Sequence, residues 1–450
     1  MTAFKIAGFL FYLGICAGQT ITWDQLTASG DRLRLAGRYA EAESAFLNAL
    51  ERAELDGKPS QVAASLNDLA VVLVLRGKFR EAENRFLRGV AIWESLRDDL
   101  NLAVTLSNLG NLYNSEAHLD KAEAACRRAL EIQSRALGPE DVRIVPTLDT
   151  FGAIQVARGN LAQAEECFHR VAALCERASM PDSLALADSL SNLGFINYKR
   201  GHYAEAETLY RRAVAIRERK LGSNHPETAH IWNQLAEVYS TEKQYGKAEQ
   251  LWTKVLHIYE TSIGHEHPET GTVLNNLGVV YTNESRFGEA ELSLRNALAI
   301  CLKSMGPEHP CATSALTNLG TVERAQRHYR EAESHYRHVI AVQERTYGPE
   351  HPALFWALAN LALMLQEQKR YGDAEAVYVR CLNIGEKSLG PSQPDVVALW
   401  YKYAEVLRKL HRKDEAHQIQ ARLRETRAAS ISNDSHRFEV DWRDLQARRH

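Results

Sequence analysis

Five histidines, His225, His265, His267, His309 and His351, are the residues whose type most directly suggests chemistry, because imidazole is the commonest protein metal ligand. Their spacing argues against it. They recur along the chain about 42 residues apart, and His265 and His267 share one loop with no third ligand nearby. All but His265 stand directly before a proline, so turn and capping geometry accounts for them, and no metal or other cofactor is expected. Beyond Cys16 the cysteines are Cys126, Cys167, Cys175, Cys301, Cys311 and Cys381, with no Cys-x-x-Cys among them. All six are expected to be packing residues, since a free cysteine behaves as a small hydrophobe. No phosphate-cradling Gly-rich loop, nucleophile elbow or His-Glu-x-x-His motif stands where it could work, so no catalysis is expected.

The elements that hold these residues follow from a repeat. The doublet Ala-Glu falls at Ala42-Glu43, Ala82-Glu83, Ala122-Glu123, Ala164-Glu165, Ala206-Glu207, Ala248-Glu249, Ala290-Glu291, Ala332-Glu333 and Ala374-Glu375, and Ala416 continues the series. The steps are 40, 40 and then 42 residues. A Leu-Gly or Leu-Ala doublet precedes most of them, as at Leu193-Gly194, Leu277-Gly278, Leu319-Gly320 and Leu361-Ala362. A period between 20 and 50 residues marks a solenoid, whose units bury their apolar faces only against neighbours. The helical spacing of the doublet glutamates reads as solvated faces and ion pairs.

Within one unit, residues 226–264, apolar side chains recur at three- and four-residue steps twice, either side of Gln244-Tyr245-Gly246. Pro226 suits a first helical turn and Gly264 a helix end. The unit is therefore an antiparallel helical hairpin, and the chain an all-α solenoid of about ten. Small residues such as Gly194 and Gly320 on first helices face large ones such as Tyr210 and Tyr336 on second helices, which predicts close packing.

The formal net charge of −3 on 450 residues offers no broad basic field for nucleic acid. That argues against an RNA-binding repeat. Residues 1–18 place Lys5 before the apolar run Ile6 to Ile15 and then small residues, the pattern of a secretory signal peptide. The run is too short to span a bilayer, so no stable membrane insertion is expected once it is removed. A lipoprotein reading at Cys16 is weaker, because Ile15 is too large for the residue before it. Export to the periplasm or outside the cell is expected if the segment is cleaved, and a cytoplasmic protein otherwise. The array is expected to span 19–428, and 429–450 to be a polar tail in which Phe438, Val440 and Trp442 alternate.

Trp232, Leu235, Ala236, Tyr239, Ala248 and Trp252 match the order and spacing of the tetratricopeptide repeat. With 42-residue units and Gly-x-x-x-Pro joints at 222–226, 264–268, 306–310, 348–352 and 390–394, the chain resembles the kinesin light chain subclass. The resemblance covers about 23–428. It implies a right-handed superhelix with first helices lining a concave groove. It also implies a non-enzymatic scaffold that binds a peptide or protein partner there. An alternative is a regulatory or sensor subunit for an enzyme on a separate chain. In peptide-binding members an asparagine before Leu-Gly holds the ligand's main chain. The corresponding residues are Asn108, Asn192, Gln234, Asn276, Asn318 and Asn360, with Asn275, Tyr198, Lys199 and Arg324 as further groove candidates. Carboxamides suit the task because they donate and accept at once. The competing reading is that these asparagines join helix to helix within the scaffold.

Overall fold

The periodic sequence folds as consecutive helical hairpins. The computed structural model describes residues 21–35 and 38–433, and they contain α-helices, one short 3-10 turn and no strand. They divide into two compact units, one ending at Ile216 and one beginning at Arg217. The first unit holds α1 (Trp23–Leu35), α2 (Tyr39–Leu55), α3 (Pro59–Leu75), α4 (Phe79–Leu96), α5 (Asp99–Ser115), α6 (Leu119–Leu137), α7 (Val145–Ala157), α8 (Leu161–Arg177), α9 (Leu184–Lys199) and most of α10 (Tyr203–Leu221). The second holds α11 (Pro226–Thr241), α12 (Tyr245–Ser262), α13 (Pro268–Asn283), α14 (Phe287–Ser304), α15 (Pro310–Ala325), α16 (Tyr329–Tyr347), α17 (Leu354–Glu367), α18 (Tyr371–Ser388), α19 (Pro394–Lys409) and α20 (Lys413–Asn433). The proposed signal segment and residues 434–450 lie outside the described residues. Helix α20 carries five residues past the expected array boundary at 428.

Local chemistry starts several first helices. Pro226, Pro268 and Pro310 occupy first-turn positions, where the missing N–H costs nothing. The preceding histidines cap them: Nδ1 of His225, His267 and His309 accepts the backbone N–H two residues on, at 3.2–3.3 Å, and His351 Nδ1 accepts from the Ala353 N–H in the turn before α17. At the joint before α15, Gly306 takes φ +86°, a left-handed conformation that favours glycine.

Size complementarity closes each hairpin. A Cβ added at Gly194 would lie 2.9 Å from the Tyr210 ring, at Gly278 2.5 Å from Leu294, and at Gly320 2.8 Å from Tyr336. Glycine is required there because the facing side chain already fills the space. The irregular early repeats obey the same rule. A Cβ at Gly152 would meet the Phe168 ring at 2.7 Å, and one at Gly110 would collide with the Cys126 sulfur. Where the joint motif is missing, Ser183 caps α9 by accepting from the Leu186 N–H.

The doublet glutamates join one hairpin to the next. Glu43 pairs with Arg76 and Lys78, Glu123 with Arg158 at 2.9 Å, Glu165 with Arg200 at 2.8 Å, and Glu249 with Arg286 at 2.8 Å. The basic partner sits at the turn inside the following hairpin.

One sequence expectation fails. Cys126, Cys167, Cys175 and Cys381 are free and buried, but Cys301 and Cys311 form a disulfide. Cys301 on α14 is fully buried. The chain reversal at 306–310 then brings the half-buried Cys311 within 5.7 Å, Cα to Cα, a distance a disulfide spans.

Candidate peptide-binding face

The first helix of each hairpin carries its Leu-Gly or Leu-Ala face inward and leaves the preceding residue on a half-buried edge. Asn108, Asn192, Gln234, Asn275, Asn276, Asn318 and Asn360 all occupy that half-buried zone. A helix interior is a poor place for asparagine, so each needs a partner or an open approach.

Four of them are spent within the scaffold. In the first unit Asn108 Nδ2 donates to Asn67 Oδ1 at 2.9 Å, joining α5 to α3. Asn192 on α9 hydrogen-bonds the carboxylate of Asp149 on α7. In the second unit Asn318 Nδ2 donates to Asn275 Oδ1 at 2.9 Å, joining α15 to α13. Two are not: Asn276 on α13 and Asn360 on α17 have no hydrogen-bond partner among the described residues. Neither has a buried unsatisfied atom, so both amides open to solvent.

The remaining candidates are held differently. Lys199 is exposed, with Nζ 5.2 Å from the Phe195 ring centroid and 5.9 Å from that of Tyr198. Tyr198 lies beside Tyr203 at 5.8 Å between centroids. Arg324 is not open: Nη1 donates to Glu367 Oε1 at 3.0 Å and the guanidinium reaches the Tyr336 hydroxyl, while its Nε is buried without a bond. The hydroxyls of Thr282, Thr317 and Thr321 donate back to carbonyls of their own helices.

The structure adds residues that motif spacing passed over. Trp356 is 55% exposed on α17, one turn before Asn360, and Tyr401 on α19 is 42% exposed. A signal was present: one and two repeats earlier, the position of Trp356 holds Ser314 and Thr272. Two carboxylates were also missed. Burial pushes Asp149 up to about 6, helped by the charge of Asp188 and opposed by the Asn192 hydrogen bond. Burial raises Asp68 to about 6 as well, against the donor Asn67.

No group of three or more histidine, cysteine or acidic side chains converges as a metal site among the described residues, and none of the described helices is long and apolar enough to cross a membrane.

Similarity to the Tetratricopeptide repeat protein 19 homolog, mitochondrial, of Drosophila melanogaster is 28% identity over 115 residues, 25% of this chain and 31% of that protein. The chain thus spans about a third of the length of this curated relative. Among solved structures, one from Podosopora anserina, described as nearly identical TPR-like repeats of a kinesin light chain, is 25% identical. The match covers 46% of this chain and 97% of that one, with a TM-score of 0.39. BtubC (BKLC) from P. vanneervenii is 22% identical over 52% of this chain and 91% of that one, with a TM-score of 0.41. The tetratricopeptide repeat model matches residues 27–95, 101–177, 147–219, 185–261, 227–303, 269–345, 312–384 and 355–429. The chain belongs to the tetratricopeptide repeat family.

Proposed function

We propose that the chain is a non-enzymatic scaffold that holds an extended segment of a protein partner against its first helices. The carrying observation is that Asn276 and Asn360 keep open carboxamides at one repeat position, while Asn318 between them in sequence is taken up by Asn275. An extended peptide has unpaired N–H and C=O groups, and an open carboxamide can bond both. Trp356, one turn from Asn360, adds an exposed aromatic surface of the kind that anchors interfaces. The partner is a protein or peptide, not nucleic acid, in keeping with the net charge of −3.

We infer that the protein works in an oxidising compartment after export. The apolar run of residues 6–15 supports this, as does the Cys301–Cys311 bond, since disulfides persist outside the reducing cytosol.

A phage-displayed library of random peptides tests the binding reading. Selected peptides should bind wild type and lose at least tenfold in affinity to Asn276→Ala/Asn360→Ala, with Trp356→Ala also weakened. Equal binding by wild type and the double variant would remove the first-helix assignment.

A further inference from the structure

Residues ten apart bridge successive joints of the second unit, and the chemistry of the bridge changes along the chain. Arg217, at the end of α10, donates from Nη1 to Glu227 Oε2 at 2.6 Å and to the Glu227 carbonyl at 3.0 Å. Forty-two residues on, the Tyr259 hydroxyl donates to the Glu269 carboxylate. Forty-two further, Cys301 and Cys311 are covalently joined. At the next joint the pair is Gln343 and Ala353, which cannot bridge, and Gln343 Oε1 is buried without a partner among the described residues.

A second bond closes the first two joints and is missing from the third. Thr228 Oγ1 donates to the Gly222 carbonyl and Thr270 Oγ1 to the Gly264 carbonyl, each at 3.0 Å. The residue at this position, in the first turn of α15, is Ala312, which has no hydroxyl. The disulfide therefore stands where the two preceding joints have side-chain hydrogen bonds.

We propose that Cys301–Cys311 is a redox-modification site, opened by a dithiol reductant, that sets the rigidity of the joint between α14 and α15. A thiolate of the reductant attacks Sγ of Cys311, a half-buried residue, because Cys301 is fully buried. The Cys301–Cys311 bond breaks and Cys301 leaves as a thiolate that takes up a proton. The second thiol of the reductant then attacks the mixed disulfide and releases Cys311. Two cysteine thiols are formed, and the dithiol is oxidised to its own disulfide. The other described cysteines do not compete: all four are buried, and burial holds the Cys126 and Cys381 thiols at about 12. Once opened, the joint keeps backbone bonds such as Met305 N–H to the Cys301 carbonyl at 2.9 Å, but no side-chain bridge of the Arg217–Glu227 or Thr228–Gly222 kind.

The test uses the full chain, treated with oxidised glutathione and compared with and without dithiothreitol, by alkylation mass spectrometry and native-state hydrogen exchange. Without reductant, Cys301 and Cys311 should resist alkylation. With it, both should alkylate, and amides over 305–313 should exchange roughly tenfold faster or more, while the 263–271 joint is unchanged. The variant Cys301→Tyr/Cys311→Glu installs the preceding joint's pair and should be insensitive to dithiothreitol at 305–313. Alkylation of both cysteines before reduction, exchange at 305–313 that ignores the reductant in wild type, or exchange that responds to it in the variant would each overturn the proposal.

Discussion

Arg370, in the turn that precedes α18, places Nη1 2.7 Å from Oε2 of Glu333, the doublet glutamate on α16 one repeat earlier. The same arginine grips Asp373 at 2.8 Å, and Glu333 also accepts from Arg337 at 2.7 Å. The doublet thus has a divided role. Its alanine lets two helices of one hairpin approach, and its glutamate ties that hairpin to the next.

Breaking this tie should have a modest, salt-dependent cost. Arg370 is 38% exposed at its side chain, so screening limits the pair, and Glu333→Ala should destabilise the second unit by about 0.5–1 kcal/mol. Urea unfolding at low and at 1 M salt checks this, with the difference shrinking at high salt. A cost of several kcal/mol would mean the glutamate does something else.

Packing substitutions should cost more. Gly320→Ala puts a methyl group 2.8 Å from the Tyr336 ring and should cost about 1–3 kcal/mol. Leu277→Ala, which empties a buried site, should cost about 2–5 kcal/mol. Combining Gly320→Ala with Tyr336→Ala should be less than additive, because the smaller side chain removes the clash. Thermal or denaturant melts read all three effects.

The asparagines should separate into two classes. Asn318→Ala breaks the bond to Asn275 and should cost about 0.5–1.5 kcal/mol of stability. Asn276→Ala and Asn360→Ala break none and should change stability by less than about 0.5 kcal/mol. Equal losses at all three would show that the open pair is structural too.

The sequestered aspartates give the first unit a pH dependence of unusual sign. Asp149 has a folded-state value of about 6, above its ordinary value of 3.8. The folded chain then holds a proton that the unfolded chain has lost between about pH 4 and 6. Its contribution is most favourable below about pH 4 and is lost as pH rises through about 6. Asp149→Asn should therefore stabilise the first unit by about 1–3 kcal/mol at about pH 8, and by much less at about pH 4. Melting curves at the two pH values decide it, and an equal effect at both would refute the assignment. Asp68, also raised to about 6, should behave alike.

The fold was legible because each level of the sequence agrees with the others. The doublet alanines and the glycines with the large side chains that face them lie within one hairpin, so local spacing reveals their partners. The first-helix site was legible only in part. Spacing picked out the edge that carries Asn276, Asn318 and Asn360, but it cannot tell a carboxamide that is occupied from one that is open. Whether Asn318 is free depends on Asn275, 43 residues earlier, and on how closely α13 approaches α15.

What the amino-acid order determined alone, then, is the repeat and the pairing of helices, because these rest on contacts near in sequence. Tertiary structure alone decided the partners of the doublet glutamates, the spent and open asparagines, the exposure of Trp356 and the union of Cys301 with Cys311. These depend on how one hairpin stacks on another or how a joint turns, and side chains there meet only after the backbone has packed.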